Sequence, residues 1–127
     1  FAMLALVVVC ASCSVSEPEP EPDNRYQRSL EEDAAATEAA TAPVIQLQNQ
    51  ALAAINEDQY PLAIDYLQRA IKIQPRNAWS WYYLADIYWR TGQYQRCLAM
   101  IERSTDYAAS DDDQLARANA ELLEQCQ

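Results

Sequence analysis

Four cysteines supply the reactive side chains of this sequence, at positions 10, 13, 97 and 126. A thiol can be acylated, bridged to a second thiol or bound to a metal. Little else stands ready for chemistry. The 127 residues include no histidine, so a histidine general base or nucleophile relay has nothing to be built from. Glycine occurs once, as Gly92, whereas Walker and dinucleotide-binding loops need several. Nineteen acids against nine bases give a net charge of -10. A nucleic-acid binder carries a basic face, so no nucleic acid is expected as a partner. The run Asp111-Asp112-Asp113 lacks the alternation and the later bidentate glutamate of a calcium loop. At a helix start, its carboxylates suit the positive end of the dipole. No metal, cofactor or catalytic constellation is expected, and the chain reads as a non-enzyme.

Charge and apolar residues divide the chain. Residues 1–43 hold eight acids and two bases, and residues 44–127 hold eleven and seven. The second stretch carries nearly all the tryptophan, tyrosine and leucine. The folded part is therefore placed at 43–127, large enough for a small core only.

Residues 1–11, from Phe1 to Ala11, form an apolar run. It is too short to span a bilayer, which takes about 20 residues, and suits the hydrophobic region of a signal peptide. The basic region that precedes such a run is missing, so a truncated signal over 1–12 is expected. Ala11-Ser12-Cys13 closes the run and resembles the lipobox of bacterial lipoproteins. In that family the cysteine is diacylated and becomes the mature N-terminus. Cys13 fits better than Cys10, which follows Val8-Val9 where the peptidase needs a small residue. Cys10 in turn stands where leucine is usual. Ser14 after the cysteine resembles the outer-membrane sorting pattern. The resemblance implies a lipid-anchored protein of the cell envelope facing the periplasm. Two or three acyl chains hold a protein at a membrane where one does not.

Residues 13–42 read as a disordered tether. Glu17-Pro18-Glu19-Pro20-Glu21-Pro22 favours an extended chain with mutually repelling carboxylates. Glu31 to Ala42 is acidic and alanine-rich, with no apolar stripe. Alanine and glutamate favour helix, so it can flicker into one. About 30 extended residues at roughly 3.1 Å each reach about 90 Å.

Beyond the tether the sequence repeats with an offset of 34. Ala51/Ala85, Gln59/Gln93, Tyr60/Tyr94 and Arg69/Arg103 are identical at that offset. The second unit runs Trp81, Leu84, Ala85, Tyr88, Gly92, Tyr94, Cys97, and the first contributes Tyr60, Ala63, Leu67, Ala70 and Pro75. This resembles the tetratricopeptide repeat. Asp58 stands where that family has glycine, and Cys97 and Ser104 where it has alanine. Pro61 suits a first helical turn, Gly92 a left-handed turn, and Asn77 a helix cap. The expected fold is all-α, with helices near 44–56, 61–73, 78–90, 94–107 and 112–126. That is two antiparallel helix pairs and a C-terminal capping helix.

The resemblance places a concave groove on the first helix of each pair. In the second repeat it would hold Trp79, Tyr82, Asp86, Trp89 and Arg90. Their spacing of three or four residues forms one helical stripe. In the first repeat it would hold Ile45, Gln48, Leu52, Ile55 and Asn56. Trp79 and Trp89 sit where packing needs no large residue, and tryptophan dominates interface hot spots. Trp81, Leu84 and Tyr88 fall at packing positions.

Cys97 and Cys126 are expected to pair, since export leads to an oxidising compartment. On antiparallel helices turning near residue 110, the two lie in register to within about 4.5 Å of helix rise. Two separate thiols are the alternative.

These features point to a membrane-anchored, non-catalytic adaptor of the bacterial envelope that binds another envelope protein. The alternative is a self-associating structural lipoprotein, a homodimer without a separate client.

Overall fold

The computed structural model describes residues 24–127. The apolar run, Cys10, Cys13 and the Glu-Pro tract lie outside the described residues.

Five helices and no strands make up the described residues: α1 (Asn24–Asn56), α2 (Tyr60–Ile73), α3 (Ala78–Arg90), α4 (Tyr94–Tyr107) and α5 (Asp113–Cys126). None is long and apolar enough to cross a membrane. Helix α1 packs on α2 and α3 on α4; α2 touches α3, and α5 lies against α4 and α3. The last four helices begin and end within a residue of the positions read from the sequence.

The first helix differs. It starts at Asn24 and runs through Pro43, so residues 24–42 of the expected tether, a tract able to flicker into helix, are helical here. Alanine and glutamate supply the propensity. Proline removes one backbone hydrogen bond and usually ends a helix, yet the turns before it gain other bonds. The Thr41 hydroxyl donates to the Thr37 carbonyl at 3.0 Å, and the Thr37 hydroxyl to that of Asp33 at 2.8 Å. The amide of Gln74, at the end of α2, donates to Thr41 Oγ1 at 3.3 Å. From Glu31 to Ala39 every residue is exposed. No residue from Glu31 to Pro43 is buried, and burial begins at Val44.

Two larger buried clusters follow a small one of Val44, Leu47 and Ala70. The first joins Ala51, Ala54 and Ile55 of α1 to Ala63 and Leu67 of α2 and to Leu84 and Ile87 of α3. The second joins Ala85 of α3 to Cys97 and Ile101 of α4 and to Leu122 and Cys126 of α5. Small residues at 51, 63, 85 and 97 let the helices approach closely. Trp81 stays half-buried at the side of α3. Its indole donates to the Pro75 carbonyl at 2.8 Å, and Arg103 lies over its ring at 5.0 Å.

The turns within the pairs match. Asp58 and Gly92, separated by the repeat offset, both adopt left-handed backbone, with φ of 57° and 72°. Glycine reaches this conformation freely, and aspartate tolerates it better than most residues. The Asp58 carboxylate also accepts the Tyr60 hydroxyl at 2.8 Å. A Cβ on Gly92 would meet nothing within 4 Å, so Gly92→Ala carries a conformational cost alone, about 1 kcal/mol. Gly92→Asp is expected to cost less, because Tyr94 stands where Tyr60 stands in the first repeat. Urea unfolding of the two variants tests this ordering, and equal losses would contradict it.

Candidate functional site

Helix α3 is started by Asn77, whose side-chain oxygen accepts the Ser80 amide at 3.3 Å. The cap sets where the helix begins and so which residues share a face. Trp79, Tyr82, Asp86 and Trp89 come out half-buried along one stripe, with Arg90 exposed at its end.

The upper part of the stripe is an aromatic triad. The Trp79 ring meets Tyr82 edge-on at 5.6 Å and Tyr83 at 5.7 Å, and Tyr82 and Tyr83 are also 5.7 Å apart. Tyr83 was absent from the sequence-based groove, although its spacing of four from Trp79 signals the contact. The Trp79 indole donates to Asp112 Oδ2 at 3.0 Å. The other oxygen of Asp112 accepts the Leu115 amide at 2.9 Å and caps α5. One carboxylate thus starts α5 and holds the leading tryptophan of α3.

The lower part is polar. The Arg90 guanidinium donates to Asp86 at 2.8 Å, and hydrogen bonding to that carboxylate holds Arg90 above its ordinary pKa. Burial pushes the phenols of Tyr82 and Tyr83 up. For Tyr82 the charges of Asp86 and Glu121 add to that, against the lowering by Arg90. The phenols therefore stay neutral across the physiological range. They serve as ring surfaces with donating hydroxyls.

Two of the first-repeat residues expected to line the groove are buried. Gln48 is only 9% exposed. Its side-chain nitrogen donates to Asn77 Oδ1 and Ser80 Oγ, both at 2.9 Å. Partners on α3 and its cap draw this amide inward, where it ties α1 to α3. Ile55 is buried in the first cluster. Leu52 is half-buried against that cluster, and Ile45 and Asn56 are exposed. The two tryptophans also have internal contacts: Trp79 through Asp112, and Trp89 by packing on the second cluster. Their truncation would loosen α5 as well as alter the surface.

Cys97 and Cys126 are joined in a disulfide, with Cα atoms 6.2 Å apart. The bridge lies in the second cluster, beside Tyr82 and Trp89. It pins the end of α5 while Asp112 fixes its start. No group of three or more metal-ligating side chains occurs among the described residues. A separate furrow of about 410 Å³ runs between α4 and α5, lined by Ile101, Ala108, Ala116, Asn119 and Leu123. It carries no charged pair, and the buried amide of Asn119 has no hydrogen-bond partner among the described residues.

The Tetratricopeptide repeat family model matches residues 54–122, just over half of the chain. No curated protein and no solved structure matches.

Proposed function

The chain belongs to the tetratricopeptide repeat family, and we propose that it is a non-catalytic adaptor that binds another envelope protein through α3 while an acylated Cys13 holds it at the membrane. Tetratricopeptide helix pairs suit a protein-interaction scaffold in general. The observation that carries the specific reading is the half-buried stripe of Trp79, Tyr82, Tyr83 and Trp89. Aromatic rings held rigid by neighbours are the side chains from which interface hot spots are built. The anchor rests on the sequence Ala11-Ser12-Cys13 alone, and the outer-membrane placement on Ser14.

A photo-crosslinking residue at position 82 in intact cells tests the groove. Capture of a different protein is expected there and not from exposed Gln68 on α2. Capture of a second copy of the chain alone would favour the self-associating reading instead. Cys13→Ser, made with Cys10 also replaced, tests the anchor. The protein should leave the membrane fraction, and the lipid reading fails if it stays.

A further inference from the structure

We propose that the groove takes a basic segment of its partner, with an arginine or lysine stem lying on the Tyr82 and Tyr83 rings and its cation turned toward Asp86 and Glu121. This rests on the groove reading above and adds the chemistry of the partner.

The floor and the rim have different characters. Trp79, Tyr82 and Tyr83 form a continuous ring surface within 5.7 Å of one another. Aromatic faces attract cations and the apolar stems that carry them. The rim is acidic. Asp86 stands on the stripe itself, and Asp112 is bonded to the Trp79 indole. Tyr82 packs on the second cluster, which includes Leu122 of α5. The neighbouring Glu121 is exposed, and its charge raises the Tyr82 phenol. Against these three carboxylates stands one guanidinium, that of Arg90, already bonded to Asp86 at 2.8 Å. The single cation of α5 does not offset them. Arg117 bonds to the Asp113 carbonyl and lines an outer furrow with Ala116 and Ala120.

Charge separates this occupant from the two that the chain itself offers. The Glu17–Pro22 tract alternates carboxylates with proline. Its prolines suit an aromatic floor, but its charge is the same as the rim's. A second copy also brings a net charge of -10. Like charges across a contact disfavour it, and opposite charges select the partner.

The test uses the full chain and three synthetic peptides of equal length. One carries two arginines among leucine and proline, one has glutamates in their place, and one copies residues 15–22. The nuclear magnetic resonance signal of the Trp79 indole N–H reports the site, and its titration gives Kd. The arginine peptide should shift that signal and bind about tenfold more tightly than either acidic peptide. Glu121 is exposed and has no described ion pair, so Glu121→Gln should leave the fold intact. It should weaken the arginine peptide by about two- to fivefold, and added salt should weaken it further. The proposal falls if the acidic peptides bind equally, if Glu121→Gln leaves Kd unchanged, or if the arginine peptide shifts signals elsewhere but not Trp79. Crosslinking from position 82 keeps the two readings apart. A captured protein joined through a non-basic segment would end this proposal and leave the groove standing. Absence of any captured protein would end both.

Discussion

Replacing Cys97 and Cys126 together with alanine should lower the unfolding free energy by about 3–4 kcal/mol. The bridge spans 29 positions, and closing a loop of that size removes about this much freedom from the unfolded chain. Small domains have roughly 5–15 kcal/mol in total, so the loss is a large fraction. The effect should also be local. Helix α5 has no helix beyond it among the described residues and relies on α4, α3 and the bridge. Its amides should lose hydrogen-exchange protection first, ahead of those in α1 to α3. Urea unfolding of the intact and reduced protein gives the global number, and exchange gives the location. A midpoint unmoved by reductant would contradict the assignment of the bridge as a support. Because Asp112 and Glu121 belong to the capping segment, reduction should disturb the Trp79 environment as well.

Asp112→Ala should cost about 2 kcal/mol. It removes an N-cap, typically about 1 kcal/mol, and an indole hydrogen bond to a carboxylate, of similar size where partly exposed. The two losses can be separated. Trp79→Phe deletes the indole donor along with part of the ring surface, and a double-mutant cycle between the two positions separates that bond from the lost packing. A coupling of about 1 kcal/mol is expected. Asp112→Asn keeps an acceptor and should lose about half as much as alanine. If Asp111 or Asp113 can cap in its place, Asp112→Ala will cost only about 1 kcal/mol, that of the indole bond alone, and the dual role fails.

Much of this arrangement is legible in the residues because the repeat signals are local. Pro61, Asn77, Gly92 and the spacing of Trp81, Leu84 and Tyr88 each act within a turn or two. They suffice to place α2 to α5. The start of α1 is not legible in the same way. Pro43 is a strong local stop, and the tract before it has no apolar stripe to argue for a packed helix. The propensity of alanine and glutamate, with hydroxyl bonds at Thr37 and Thr41, outweighs the proline. The site divides similarly. The stripe on α3 follows from helical spacing. The burial of Gln48 is not legible locally, since it depends on Asn77 and Ser80, about thirty residues away. The family pattern assigns Tyr83 no groove position, although it touches Trp79. Asp112 shows the same limit: its capping role is local, but its bond to Trp79 crosses 33 positions.

The exposed front of α1 changes the mechanics of whatever precedes it. Nineteen residues of extended chain, the number in 24–42, would span about 60 Å and pivot freely. The same residues as helix span about 30 Å at 1.5 Å per residue. They also resist bending, and the Gln74–Thr41 bond fastens their base to the repeat body. A leash limits only distance, whereas a fastened rod also transmits direction. The orientation of the aromatic stripe is thus geared to the axis of residues 24–42. Inserting one residue near position 36 should rotate the far end by about 100° about that axis, and four residues should nearly restore it.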